Sequence, residues 1–523
     1  MEEEEESRSF AECQQNYSKI IKPTLKDKIW LEGNKIFVYI LFAISVIVAS
    51  LSIFKLLSYV PFGPEEDLYG EPVPTLDVSF DGGTLTVKQI QQIIFSLIII
   101  FISSIGISYL AERVKMPGLL GILLLGILFR NVSIFNRNLF INDAIGSLLR
   151  KFAFLIILLR AGLGLDAKAL MELKGACVFL AFLPCTFEAF TVAFASWLIF
   201  KINFSFGLLL GFVLAAVSPA VIVPAMLELR TKRLGIDKGI PTLINAAASI
   251  DDVYAITWFS LILSSITSGS EDNSSQVWTI IRAPLEVIGG IILGGILGII
   301  LWIFPDPKLT SIKLRRISLL LSLSFAALFG TEYLGLETVG PIAVLILGFT
   351  AALRWRKLSR LECLKEEKLL KNAWDYIGLP FLFCLIGYQL NLEQLDEGSI
   401  AQAVAILACG LFIRCIVAAL AVLKTKLNLK EKIFVAISWL PKATVQAALA
   451  PVLLDMTRTN SSKFGIYQSE GIIILTVSII SILMTAPAGA ILIRLLGPIL
   501  LTKSRDPPKD DPIELEEKVL NSI

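Results

Sequence analysis

Long apolar blocks separated by short polar segments run along almost the whole chain. The block from residue 36 to residue 60 carries one charge, Lys55, over enough residues to cross a bilayer as a helix, which takes about 20. About fourteen such blocks begin near residues 36, 89, 118, 144, 175, 203, 240, 277, 316, 337, 370, 396, 431 and 468. The pattern predicts an all-α polytopic membrane protein with about 14 transmembrane helices.

The segments that connect these blocks alternate in their content of Lys and Arg. The basic segments are residues 19–35, 113–115, 230–238, 308–316, 354–371, 424–432 and 503–509, and the segments poor in Lys and Arg are 64–81, 268–276, 336–337 and 391–397. Cytoplasmic loops of membrane proteins carry the excess of Lys and Arg. The alternation therefore predicts that both termini are cytoplasmic and that the number of spans is even.

The second half of the chain resembles the first. Gly126 matches Gly348, and Gly162 matches Gly387 at nearly the same spacing along the chain. The members of each pair lie seven blocks apart, and because seven is odd, the second copy crosses the membrane in the opposite direction. The pattern predicts two inverted-topology six-helix repeats, as in many secondary transporters, plus an extra N-terminal span.

These boundaries define the predicted domain organisation. We assign residues 1–35 to a cytoplasmic N-terminal tail, 36–60 to the extra transmembrane helix, 89–500 to the main membrane domain and 501–523 to a cytoplasmic C-terminal tail. Within the main domain, the repeats cover about 89–268 and 316–500, and a linker helix at 277–304 joins them. The acidic start and the charged, Pro-containing end are typical of solvated tails.

The amino-acid composition limits the kinds of chemistry that the protein can perform. Of the 523 residues, 55% are hydrophobic and 18% are charged, against about 25% charged in soluble domains. The chain has no histidine, so proton chemistry near neutral pH must use carboxylates or lysines. It also lacks a phosphate-binding G-x-x-x-x-G-K-[ST] motif and a metal-spaced Cys/His set. We therefore expect a transporter rather than an enzyme, with no cofactor and no nucleic-acid partner.

Two adjacent carboxylates, Asp251 and Asp252, lie near the middle of the block that starts at residue 240. A charge there costs at least about 2.5–3.5 kcal/mol, so such residues usually face a cavity and serve ion or proton pathways. Carboxylate oxygens suit hard cations, and like charge together with burial favours the protonated form. A carboxylate that holds either a proton or a cation, but not both, is sufficient for their exchange. Structural pairing of both acids with basic residues is the alternative.

Prolines interrupt two blocks at matching positions of the two halves. Pro219 lies in the sixth block, and Pro441 lies at the corresponding position of the thirteenth. A proline inside a helix removes a backbone hydrogen bond, and at membrane depth the freed carbonyls are tolerated where they line a cavity or contact protein. Interrupted helices in corresponding positions indicate the binding site of a transporter, and simple kinks are the alternative.

Three further charged residues lie inside apolar blocks and need partners. Lys442 follows the second break, and Asp251 or Asp252 is its natural partner. Arg414 and Glu188 occupy matching positions of the two halves, so we expect them to pair near the pseudo-twofold axis. Because arginine stays protonated, this pair is expected to be structural or to tune the site rather than to carry protons.

Four polar residues near these positions are candidates for supporting contacts. Asn245, nearly two turns before Asp251, is a candidate for the entrance, and Tyr254 for a hydrogen bond to a carboxylate. Thr444 and Gln446 flank the second break. Plain hydrogen bonds between helices are the alternative for each.

Together these features resemble the monovalent cation:proton antiporter superfamily. The residues that carry the resemblance are Ser249-Ile250-Asp251-Asp252, Ser218-Pro219-Ala220, Leu440-Pro441-Lys442-Ala443-Thr444, Glu188 and Arg414. Within the superfamily, the chain is similar to the animal NHA-type sodium/hydrogen exchangers of solute carrier family 9, subgroup B. The resemblance implies an antiporter domain at 89–500 that exchanges sodium or lithium for protons, and the extra first span also fits that subgroup.

The resemblance also assigns roles to residues. Asp252 matches the principal carboxylate that binds sodium or lithium, and Asp251 matches its neighbour, which helps to coordinate the ion or pairs with a basic residue. Ser218 and the backbone around Val217 match ligands from the first broken helix, so the expected bound metal is sodium. Arg414 stands where bacterial antiporters that exchange two protons per sodium have a lysine. Since arginine cannot release its proton, exchange is expected to be electroneutral.

Family members are homodimers in which a six-helix ion-carrying core moves against a dimerisation domain in an elevator-like cycle of alternating access. The resemblance places the extra first span in the dimer interface, where anionic lipid is a further candidate partner. Candidate locations are the plasma membrane, an endosomal or other organelle membrane and the mitochondrial inner membrane. Potassium/proton exchange and a cation channel on the same fold stay open as alternatives, and the intact carboxylates disfavour a sensor without flux.

Overall fold

Helices form nearly all of the regular structure in the part of the chain that the structure describes. This computed structural model describes residues 25–58, 79–80, 83–84, 87–114, 116–139, 141, 143–164, 174–268, 276–306, 309, 312–336, 338–359, 365–394, 397–459 and 464–504. Most of the predicted N-terminal tail and nearly all of the C-terminal tail lie outside these residues.

The helices of the first half follow the predicted apolar blocks. They are α1 (Leu25–Ser58), α2 (Val87–Arg113), α3 (Gly118–Asn131), α4 (Ser133–Asn138), α5 (Asp143–Gly164), α6 (Lys174–Ile199), α7 (Phe204–Ala215), α8 (Pro219–Thr231), α9 (Ile240–Ser268) and α10 (Gln276–Ile303). Between α1 and α2, the two-residue strands β1 (Ser79–Phe80) and β2 (Gly83–Thr84) pair in antiparallel orientation.

The second half is built in the same way. Its helices are α11 (Ile312–Tyr333), α12 (Val339–Ser359), α13 (Lys365–Ala373), α14 (Leu379–Gln389), α15 (Glu397–Ala421), α16 (Leu429–Ser438), α17 (Thr444–Leu449), α18 (Val452–Thr459) and α19 (Gln468–Leu500). A π-helical turn at Trp374–Gly378 joins α13 to α14, and 3-10 turns at Leu392–Gln394 and Gly465–Tyr467 precede α15 and α19.

The predicted number of spans is not confirmed. Ten helical segments of the described chain are long and apolar enough to cross a membrane by length and composition. The four other predicted spans correspond to the 14-residue helix α3, to α5 and α11, which carry basic residues within the helix, and to the interrupted segment α16–α18. Short length, internal charge and interruption each weaken the apolar signal that identifies a membrane span.

Helix α1 extends beyond the predicted first span. It begins at Leu25, well before the apolar block, because the charged residues in between are good helix formers. Val38, Ser45 and Ala49 form a buried stripe on the side that packs against α11, whereas Leu51 on another side is 64% exposed. The helix thus buries one narrow stripe and leaves a wide apolar surface for lipid or protein.

Glycines allow two helix pairs from different halves to approach closely. Gly126 of α3 lies against the backbone of α14, and Gly387 of α14 lies against the backbone of α3. In the same way, Gly162 of α5 lies against α12, and Gly348 of α12 lies against α5. These are the four glycines that the sequence comparison of the two halves matched. Around the centre of the molecule, helices α6, α9, α15 and α19 pack against the two interrupted helices.

Candidate ion-binding site

Two interrupted helices meet at their breaks in the centre of the molecule. In the first, α7 ends at Ala215 and α8 begins at Pro219; in the second, residues 439–443 separate α16 from α17. The Ser218 amide donates to the carbonyl oxygen of Pro441 at 2.9 Å, so the breaks are bonded to each other. Pro219 is the first residue of its helix, where a missing N–H costs nothing, and Pro441 lies in the non-helical link. Both prolines therefore lie at breaks, as predicted.

Arg414 of α15 connects the breaks to the acidic residues. The side chain is fully buried; its Nη1 donates to the carbonyl oxygen of Ala215, at the end of α7, and its Nε donates to that of Trp439 at 2.8 Å. It also forms ion pairs with Glu188 and, at 3.3 Å, with Asp251. The predicted Glu188–Arg414 pair is thus present, and one guanidinium satisfies carbonyls at both breaks together with two carboxylates.

The structure corrects the predicted partner of Lys442. Its Nζ lies 2.8 and 3.0 Å from the two carboxylate oxygens of Glu188, and it donates to the carbonyl oxygen of Leu214. Within the described residues, no ion pair joins it to Asp251 or Asp252. The prediction was wrong because a lysine in the link between α16 and α17 faces α6, which carries Glu188, whereas the aspartates lie on α9. All of these charged groups are buried.

Asp251 and Asp252 have different surroundings although they are neighbours on α9. One oxygen of Asp251 accepts from the Val217 amide at 2.8 Å and from Arg414. Asp252 is 4% exposed and forms no hydrogen bond or ion pair with any described residue. Adjacent helical positions point about 100° apart, which is why only one of the two reaches the break and its arginine.

Of the predicted supporting residues Thr444, Tyr254 and Asn245, only Thr444 contacts a residue of the breaks within the described part of the chain. Thr444, at the start of α17, has its hydroxyl 3.4 Å from the hydroxyl of Ser218, so it belongs to the crossing of the breaks. The Tyr254 hydroxyl lies 2.9 Å from that of Thr186 on α6 instead of reaching a carboxylate. The Asn245 side-chain oxygen is buried and has no hydrogen-bond partner among the described residues.

The sequence did not predict two residues that bond to members of the candidate site, Thr186 and Thr485. Thr186 holds Tyr254, and the hydroxyl of Thr485 on α19 accepts from the backbone amide of Lys442 at 3.1 Å. Each is a threonine within an apolar helix, where the usual role of the hydroxyl is to bond to its own preceding turn. No pattern in the chain marks them, because their partners lie on other helices.

Comparisons with known proteins agree with this architecture. The family model described as "Sodium/hydrogen exchanger, transmembrane" matches residues 94–500. Sodium/hydrogen exchanger 9B2 of Homo sapiens is 40% identical over 432 residues, covering 82% of this chain and 78% of that protein. Sodium/hydrogen exchanger 9B1 of Macaca fascicularis is 37% identical over 422 residues and covers 80% of each chain.

A solved structure shares the fold. The sodium proton antiporter MjNhaP1 from Methanocaldococcus jannaschii matches with a TM-score of 0.60 and 20% identity, over 79% of this chain and 99% of that one. With ten candidate spans among its described helices, the chain is an integral, multi-pass membrane protein. It belongs to the sodium/hydrogen exchanger family, which confirms the resemblance seen in its motifs.

Proposed function

We propose that this protein exchanges sodium, or lithium in its place, for protons across a membrane, without a cofactor. The family and the shared fold support antiport of a monovalent cation against protons. The surroundings of Asp252 support the assignment of the ion to this residue. Asp251, Ser218 and the backbone at Val217 lie at the first break, and we propose them as the further ligands of the ion.

The observation that carries the proposal is the carboxylate of Asp252, which has no partner among the described residues. A buried charge without a partner costs several kcal/mol or more, so the group must bind a proton or a cation. Asp251 already has an arginine and a backbone amide, and Glu188 has two cations. Asp252 is therefore the carboxylate of this cluster that still requires a positive charge.

The charges of the cluster favour a one-for-one exchange. Three carboxylates, those of Glu188, Asp251 and Asp252, lie near two cations, Arg414 and Lys442. One negative charge is left over, and either one proton or one sodium ion neutralises it. Because the two loaded states carry the same charge, transport is proposed to be electroneutral.

The architecture of the proposed cycle follows the two halves of the chain. We propose fourteen spans in two inverted repeats, with elevator-type movement of the helices around the two breaks. The crosswise glycine contacts, α3 with α14 and α5 with α12, support the repeat, since a twofold axis exchanges one contact with the other. We propose that both termini are cytoplasmic. The proposed location is the plasma membrane, an endosomal or other organelle membrane, or the mitochondrial inner membrane.

A homodimer is proposed as the assembled state. Helix α1 is its proposed interface element, because it exposes an apolar surface on the side away from α11. Leu51 and Ile40 on this surface are 64% and 50% exposed in the single chain. Anionic lipid is a further proposed partner at the same interface.

Substitution of Asp252 tests the proposed function. In proteoliposomes with a pH-sensitive dye, Asp252→Asn is expected to abolish proton movement driven by a sodium or lithium gradient, because the amide binds neither ion by charge. Asp237→Asn, in the exposed loop before α9, is the matched control and is expected to transport like wild type. Normal exchange by Asp252→Asn would contradict the proposal. Exchange driven by potassium alone would favour a potassium/proton exchanger, and current without a countergradient would favour a channel.

A further inference from the structure

The side chain of Gln446 lies at the break, and the proposed exchange assigns it no role. Gln446 lies on α17 and is fully buried. Its Nε2 donates to the carbonyl oxygens of Val213 at 3.0 Å and Ala216 at 2.7 Å, at the end of α7. A third carbonyl oxygen, that of Leu214, lies 3.5 Å away. Since three carbonyl oxygens surround this atom, it must be the donor nitrogen of the amide.

The end of α7 needs donors because its last carbonyls have no partner within the helix. Without water at membrane depth, each unsatisfied group costs several kcal/mol. Lys442 bonds to the Leu214 carbonyl, and Arg414 bonds to that of Ala215. Gln446 satisfies the carbonyls on either side of these two. Three side chains from the second half of the chain therefore close the end of one helix of the first half.

Gln446 differs from the other two donors because it is neutral. Lys442 and Arg414 also pair with Glu188, and Arg414 pairs with Asp251, so their positions depend on the charge of the cluster. The amide of Gln446 keeps its hydrogen bonds whatever the charge of the cluster. Gln446 can therefore hold α7 in place while a cation and a proton replace each other on Asp252.

The backbone that Gln446 fixes leads directly to the acidic pair. Ala216, whose carbonyl accepts the 2.7 Å bond, precedes Val217, whose amide donates to Asp251 at 2.8 Å. We propose that Gln446 is a positioning residue for the cation site, which it shapes through the backbone of residues 213–217. This inference rests on the proposed cation/proton exchange.

Two substitutions separate this role from simple packing. Gln446→Glu keeps the shape of the side chain but can donate only while the introduced carboxyl group is protonated. Gln446→Met keeps approximate length and cannot donate at any pH. We expect both to raise the KM for sodium by about tenfold near neutral pH, the equivalent of one or two hydrogen bonds, with a smaller change in the maximal rate.

The pH dependence of the sodium KM distinguishes the two variants better than the KM at a single pH. The KM of Gln446→Glu, relative to wild type, is expected to return toward that of wild type as the pH falls, whereas that of Gln446→Met stays high. Asn131→Asp is the matched control, because the Asn131 amide also caps the end of a helix, donating to Leu390 at the end of α14 at 2.9 Å. We expect this control to leave the sodium KM and its pH profile unchanged.

The outcomes are distinguishable. A sodium KM within about twofold of wild type in both Gln446 variants, or a pH profile of Gln446→Glu parallel to wild type, would overturn the inference while leaving exchange intact. Loss of the folded protein in both variants, judged by gel filtration, would assign Gln446 a purely structural role and also overturn it. If wild-type protein shows no cation/proton exchange, the proposed function itself has failed.

Discussion

Glu188 is the residue on which the buried charges depend. Its carboxylate lies between Arg414 and Lys442, and all three side chains have no solvent exposure. A complete buried ion pair contributes little net stability, but removal of one partner leaves an uncompensated charge. Glu188 therefore matters less for attraction than for keeping two buried cations neutralised beside the breaks.

The substitution Glu188→Gln is expected to lower the free energy of unfolding by about 3–5 kcal/mol, because Lys442 would then have no paired carboxylate among the described residues and Arg414 would keep only Asp251. Thermal unfolding of the purified protein in detergent measures the effect. The double variant Glu188→Gln/Lys442→Met removes one charge of each sign and is expected to be more stable than the single variant. A single variant as stable as wild type, or a double variant no better than the single one, would contradict this account.

Among the contacts of individual residues, the sequence predicted some and not others. The Glu188–Arg414 pair could be predicted because the two residues hold matching positions in the two halves. The partner of Lys442 could not, because the sequence offers three buried carboxylates and does not state their distances. The same limit explains Tyr254, whose hydroxyl meets Thr186 although a carboxylate lies only one turn away in sequence.

At the scale of helices, close contacts depend on the absence of side chains. A Cβ atom at Gly126 would collide with the backbone of α14, and one at Gly387 would collide with the backbone of α3. Helices in a membrane associate largely through such packing, since lipid offers no hydrophobic driving force between them. The glycines of these contacts are therefore essential to how the two halves fit together.

The substitution Gly126→Ala is expected to destabilise the protein by about 1–3 kcal/mol, because the added methyl group forces the helices apart. Gly295→Ala in α10 is the matched control, since a Cβ atom there meets nothing within 4 Å. The control is expected to be neutral or slightly stabilising, as alanine favours the helix. Melting temperatures of the two variants in the same detergent decide the matter, and equal values would refute the role given to the contact.

Helix positions were the most predictable feature of the fold. Every predicted block from residue 89 onward begins close to a helix start in the structure. The start of α1 was less predictable, because hydropathy reports where lipid begins and not where a helix begins. The π-helical turn at Trp374–Gly378 left no signal in the apolar pattern.

For the whole molecule, the charges of the central cluster constrain transport. If one proton and one sodium ion neutralise the same leftover charge, the membrane potential does no work on the cycle. A tenfold sodium gradient is then expected to balance a pH difference of about one unit, whatever the voltage. Reversal measurements in proteoliposomes clamped with potassium and valinomycin test this expectation. A reversal point that shifts with the imposed voltage would show that net charge moves in each cycle and exclude one-for-one exchange.

The sequence by itself determined that this is a helical membrane protein of the sodium/hydrogen exchanger family, with an Asp pair and two interrupted helices. These features are local, since burial in lipid selects apolar blocks, and a proline or a charge within such a block is costly wherever the chain folds. Only the tertiary structure decided that Asp251 takes the arginine and the Val217 amide, that Asp252 has no partner among the described residues, and that Lys442 pairs with Glu188. These outcomes depend on distances of a few ångströms between helices far apart in the chain, which no local pattern encodes.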